Sequence, residues 1–410
     1  MNLVSARAAI AAIPDGSRVV LPHGAVEPTA LYEALREERH RFRALRLYSG
    51  LQFGDYPFLR TGLGESFRYA TWQASPKLRR LFREGAIDLL PLRFRDVLRV
   101  LHRDGPLPPD VLVVQVSPPR DGVVSLGISV SLFRDLVAAT PLVIAEINRN
   151  MPRTAGAGVL SVDDLELGVE SDLPLGTYRS PRRTPRDDRI VELVLGLIPR
   201  GAWVQLGVGA VPEAVLRRLH EVRDVNLHSG MLTDGLIDFV DKSRHDPRIV
   251  TGEVAGGRDL YDFVAAHPQI ELHPSTVTHD LVEIAKLPRF VSVNSAVEVD
   301  LQGQVNGETV GGLQISGVGG SLDFVEAAAY SPGGMSIIAL PSTTEDGRHS
   351  KIVPRLPSSA PVTVPRFCVD VIVTEHGVAR LRGKTLSERA EELAAIADPS
   401  FRSGLEAPAQ

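Results

Sequence analysis

A single cysteine, Cys368, is present in 410 residues, which excludes an intrachain disulfide and leaves no cysteine cluster for zinc. No run of about 18 apolar residues occurs, so no segment reads as a membrane span. The N-terminal stretch has no long apolar core of the kind a secretory signal needs. A basic excess is lacking too: 45 Lys and Arg stand against 50 Asp and Glu, a formal net charge of −5, which offers no footprint for nucleic acid or an anionic membrane. Neither a G-x-S-x-G nucleophile elbow nor a Walker loop is found. His228, His273, His279 and His376 are scattered without helical metal spacing, so no metal is expected. These absences point to a cytoplasmic protein without nucleic-acid or membrane partners.

Glycine and proline are abundant, 36 and 30 residues, and they punctuate short apolar runs. Such runs lie at 19–21, 111–116, 142–147, 203–206, 290–293, 337–340 and 369–373. They are continuous rather than alternating, as strands buried on both faces of a parallel sheet are. Helical periodicity appears between them, behind Pro212 and again over 386–396. The pattern predicts an α/β fold with mainly parallel sheets. A chain of this length divides into two domains. The polar, proline-bearing stretch 171–188 reads as the linker, giving domains at 1–180 and 186–410. The two sides resemble each other. GSRVVLPHGAV at 16–26 lines up with GAWVQLGVGAV at 201–211, 113–117 with 291–295, and 143–145 with 337–339. Three matches in one order suggest two copies of one unit.

Three places have the residue types for chemistry. GVGAVP at 207–212 follows a strand and opens a helix, so Gly207 and Gly209 let an anionic ligand approach free amides; many α/β turns have such glycines for the turn alone. SGVGGS at 316–321 is denser. Amides of Gly317, Val318, Gly319 and Gly320 could converge on one oxyanion, although a tight turn explains the spacing equally well. Asn294, Glu298 and Asp300 come off a buried strand, where carboxylates more often brace a turn than catalyse.

These residues, with VSPP at 116–119, MPRT at 151–154, LYDF at 260–263, FVSVNSAVEVDL at 290–301, QISGVGG at 314–320, IVP at 352–354 and VTEHGVA at 373–379, resemble the acetyl-CoA hydrolase/transferase family over nearly the whole chain. The resemblance implies two similar α/β domains in tandem, acyl-CoA as substrate and covalent catalysis by a glutamate. That glutamate attacks the thioester, becomes an acyl anhydride and then a glutamyl-CoA thioester. It lies in a motif of the type His-Ser/Thr-Glu-Met. The matching stretch here is HSGMLTDG at 228–235, with Gly230 at the nucleophile's position.

Glycine has no carboxylate, so the family's ordinary transfer cycle is closed to it. The expectation is an acyl-CoA-dependent enzyme in which water attacks, hydrolysing a thioester or a β-keto carbon–carbon bond. The alternatives are a transferase using another carboxylate, Glu253 or Glu298, and a non-catalytic paralogue that binds acyl-CoA or a partner. Gly317, Val318, Gly319 and Gly320 would hold the oxyanion. Gly207, Gly209 and Asn294 would line the acyl-CoA site, and open space at Gly230 would admit water or an acyl chain. Glu298, His228 and Glu253 are the candidate bases. Lys351, with Arg348 and His349, would meet the CoA phosphates. A homo-oligomer, a dimer, or a complex with a related subunit is expected, and Gly230→Glu is expected to create some transferase activity if the rest of the site is intact.

Overall fold

In a computed structural model, residues 1–405 are described, and they form two compact units. The first consists of Met1–Arg179 and Val250–Thr278; the second of Ser180–Ile249 and the chain from His279 on. The change of unit near residue 180 falls inside the expected linker, but 250–278 cluster with the N-terminal portion rather than the C-terminal one. The linker is also shorter than its composition suggests. A helix, Pro185–Leu197, begins within it, with Pro185 in the first turn and a reciprocal cap between Thr184 and Asp187. The Thr-Pro-Arg-Asp spelling of that cap is readable in the sequence, and mixed charge hides it.

The first unit is built on a parallel sheet whose spatial order is Asn2–Leu3, Leu167–Ser171, Leu142–Asn148, Val111–Val116, Arg18–Val20, Leu45–Ser49, Phe67–Thr71, Asp88–Leu89. Val111–Val116 is buried at every position, as its unbroken apolar run requires. Leu21, Leu45, Leu47, Phe58, Phe67 and Tyr69 form much of the core on one side. In the second unit the order is Gly377–Arg380, Val371–Thr374, Met335–Ala339, Phe290–Asn294, Trp203–Leu206, Asn226–Leu232. All of these pairs are parallel except the first, a hairpin that closes the edge.

The two sheets share one plan. Strands matched by chain position, 18–20 with 203–206, 45–49 with 226–232, 111–116 with 290–294, 142–148 with 335–339 and 167–171 with 371–374, occupy the same places in the two spatial orders. The internal repeat read from three sequence matches therefore extends to five strands. Both copies make the same strand–turn–helix step: Arg18–Val20 leads through Gly24 to Thr29–Glu37, and Trp203–Leu206 leads through Gly209 to Ala210–Arg218.

Candidate active site

The HSGM stretch lies inside the strand Asn226–Leu232. Ser229 fixes its backbone from within, its hydroxyl donating to the carbonyls of Leu206 (3.0 Å) and Met231 (3.1 Å). Because side chains alternate along a strand, His228 and Gly230 belong to the same face, opposite Ser229. His228 is buried, and its ring meets Phe290 edge-on at 6.3 Å.

The glycine-rich loop runs into the helix Ser321–Tyr330, with Gly320 at the cap position and no side chain capping the free amides of the first turn. Gly319 has φ +61°, a left-handed conformation that favours glycine. Gly317 is buried and Val318 half-buried.

The space beside Gly230 is not open. A Cβ on Gly230 would lie 2.7 Å from both Cε1 and Nε2 of His279. One on Gly320 would lie 2.6 Å from the same Nε2 and 2.9 Å from Cδ2. The imidazole is thus wedged between the strand glycine and the last glycine of the loop. Phe324, from the first turn of the following helix, packs against the ring with centroids 4.7 Å apart. The expected opening for water or an acyl chain is corrected on this point: a buried aromatic ring fills the volume a missing side chain leaves, as close packing of interiors demands. Burial, and secondly the neighbouring His228, pushes the His279 pKa down to about 3, so the ring is neutral at any physiological pH. Nothing local in Thr278, His279, Asp280 points to Gly230, so the sequence gives no signal for this contact.

The other expected residues are placed as follows. Gly207 and Asn294 are in contact, since a Cβ on Gly207 would come within 2.8 Å of Asn294 Oδ1. The Asn294 amide is committed to Gln205: the Gln205 amide donates to Oδ1 (3.2 Å), and Asn294 Nδ2 donates back to Gln205 Oε1 (3.0 Å). Gly209, with φ +146°, caps Ala210–Arg218. Glu298 is half-buried and accepts a hydrogen bond from Asn306 Nδ2 at 2.9 Å across an antiparallel pair. Lys351 is half-buried; burial, then the charge of Arg186, lowers its pKa, against the pull of Asp187 and Glu375. Arg186 is held by Thr343 Oγ1 at 2.7 Å, whereas Arg348 and His349 are exposed.

Glu253 belongs to the first unit and is not a free carboxylate. Its Oε1 lies 2.5 Å from His23 Nε2, with both side chains buried. The His23 ring is enclosed by Trp72, Phe94 and Phe133 at centroid distances of 5.7, 5.8 and 5.0 Å. His23 sits in the first copy of the repeat, in the turn after the strand Arg18–Val20. Among the described residues no group of acidic, histidine or cysteine side chains is arranged to hold a metal, and no helix is long and apolar enough to cross a membrane.

Residues 1–172 match the N-terminal domain of acetyl-CoA hydrolase/transferase, and 256–409 match its C-terminal domain. The 4-hydroxybutyrate coenzyme A transferase of Clostridium kluyveri is 38% identical, over 98% of this chain and 96% of that protein. The succinyl-CoA:cyclohexane-1-carboxylate CoA transferase of Geobacter metallireducens is 32% identical over 97% of this chain and 92% of its own. Among solved structures, RipA from Yersinia pestis superimposes with a TM-score of 0.92 at 30% identity, covering 98% of this chain and 96% of RipA. A 4-hydroxybutyrate CoA-transferase from Porphyromonas gingivalis gives 0.84 at 33% identity, over 98% and 96%. Full-length coverage of both domains, at such identities and on the same tandem plan, places this chain in the acetyl-CoA hydrolase/transferase family of acyl-CoA-dependent enzymes.

Proposed function

We propose that this protein cleaves an acyl-CoA by attack of water rather than through a glutamyl-CoA intermediate. The observation that carries the reading is the neutral imidazole of His279 packed where a side chain at 230 would project. With Gly230 at the nucleophile's position, no carboxylate can form the anhydride, so the acyl carbon must be taken by another oxygen. The amides of Gly317, Val318, Gly319 and Gly320 support the oxyanion, a contribution on the order of 3–4 kcal/mol for one well-aimed donor. Lys351, beside Arg186, supplies positive charge for the CoA phosphates, and Gly207, Gly209 and Asn294 shape the strand ends that receive the ester.

Glu253 pairs with His23, and Glu298 accepts from Asn306. His228 shares the face of Gly230 and carries the proton-accepting role in this reading. The same engagement weighs against a transferase that borrows Glu253 or Glu298. Hydrolysis of the thioester releases free thiol with the acyl chain intact. Cleavage of a β-keto carbon–carbon bond shortens the chain and leaves the thioester. A dimer is the assembly we favour, to be checked by light scattering.

The test is incubation with a panel of acyl-CoAs, with and without acetate, following thiol and acyl mass. Thiol release, or chain shortening, at a rate indifferent to acetate is expected, and His228→Gln should lower kcat while leaving KM near its original value. CoA exchange between carboxylates with ping-pong kinetics would overturn the hydrolytic reading. A thermal shift with CoA esters and no product of either kind would favour a binding protein.

A further inference from the structure

Loss of the nucleophile has a second half, which lies at His279. We propose that His279 is a reaction-specificity residue: its imidazole occupies the slot of a carboxylate at 230, so two residues, not one, hold this protein out of transferase chemistry. The proposal rests on reading Gly230 as the nucleophile's position but not on what reaction the natural protein catalyses.

Four observations, all within the second unit, converge on the ring. A Cβ at 230 would approach Cε1 and Nε2 to 2.7 Å, closer than real side chains come. A Cβ at 320 would lie 2.6 Å from the same Nε2, so the ring packs against the last glycine of the loop as well. Phe324 backs it, 3.6 Å from the Gly230 Cβ position and 3.3 Å from that of Gly320. The backbone just after His279 is pinned, because Asp280 Oδ1 accepts the amides of Val282 (2.8 Å) and Glu283 (2.9 Å) at the start of Leu281–Ala285. A glutamate introduced at 230 meets the imidazole at its first carbon. In the proposal, the rest of the glutamate side chain competes with the ring for the same volume. Glycine at 230 and histidine at 279 are therefore one steric solution. Removal of the ring is the change the proposal requires to free room for a carboxylate beside the glycine-rich loop.

The chemistry that the slot would then support is fully balanced. A carboxylate oxygen on 230 attacks the acyl carbon, the carbon–sulfur bond breaks and CoA leaves as thiolate. The thiolate attacks the glutamyl carbonyl of the anhydride, and the acyl group departs as its carboxylate. What remains is CoA in thioester linkage to the protein, heavier than the free protein by CoA minus water. That adduct is a readout that a purely structural role of His279 would not produce.

The experiment compares the natural protein with Gly230→Glu, His279→Ala and the Gly230→Glu/His279→Ala pair. Each is incubated with acetyl-CoA, succinyl-CoA or butyryl-CoA, quenched in acid and weighed by intact-protein mass spectrometry. Thermal melts with and without CoA establish that each variant is folded and binds. Should the alanine pair melt early, the pair with His279→Asn takes its place. The adduct is expected in the double variant and absent from the other three. Equal adduct in Gly230→Glu alone would show that the ring moves aside freely and would overturn the proposal. So would its absence from a folded, CoA-binding double variant. If the natural protein released no thiol in the preceding test, the hydrolytic reading would fall while the adduct comparison still stood.

Discussion

A histidine buried without charge is a liability in acid. The His279 pKa is pushed down to about 3, mainly by burial. In the unfolded chain the same ring titrates near its ordinary value of about 6.5, so below that pH the unfolded state takes up a proton that the folded state refuses. The stability this group contributes is complete above about pH 6.5 and is lost as pH falls toward 3, at about 1.4 kcal/mol per unit. Urea unfolding at pH 7 and pH 5 should therefore show the natural protein losing roughly 2 kcal/mol more than His279→Asn over that interval. Identical losses would mean that the ring is protonated or solvated in the fold. Gly319 gives a second prediction at this scale. At φ +61° a Cβ costs about 1–2 kcal/mol, and the loop would relax by turning its amides. Gly319→Ala should reduce turnover about 100-fold or more with little change in CoA binding, as loss of an oxyanion donor does. Unchanged kcat would remove the loop from the chemistry.

A few helices in this protein carry a readable signal at their start. Pro185–Leu197 is held at its start by Thr184, whose backbone amide and hydroxyl both donate to Asp187 Oδ2 at 2.7 Å. Thr184→Ala should lower unfolding stability by about 1 kcal/mol, read from the midpoint of chemical denaturation at unchanged slope. No measurable change would make the cap redundant. The same lesson explains what could be read beforehand. Apolar runs such as 111–116 and 203–206 identify their strands because a strand buried on both faces tolerates no polar interruption. The cap at Thr184 was equally explicit in letters, yet the surrounding arginines and aspartates look like solvated linker. Gly230 stands out in the sequence because its flanks, 228–229 and 231–235, resemble the family's motif. His279 was not, because its meaning is a contact with a strand distant in sequence, and no periodicity encodes such a contact.

At the scale of the whole chain, the two sheets show one strand order twice, but the units are not consecutive halves. The first takes back residues 250–278 after the second has begun. Its buried His23 finds Glu253 across 230 positions of sequence. A fragment of residues 1–179 would therefore bury an imidazole without its carboxylate and lack Ile270–Leu272, whose partner strand Ala155–Gly156 lies inside the fragment. Such a fragment should give a broad, non-cooperative melt and rapid proteolysis; a sharp transition would show that the N-terminal stretch is self-sufficient. The interleaving also sets a schedule for biosynthesis. Roughly 100 residues separate 179 from 278, and at about 5–20 residues per second a ribosome needs some ~5–20 s to deliver them. During that wait the nascent N-terminal unit has no Glu253 to pair with its His23.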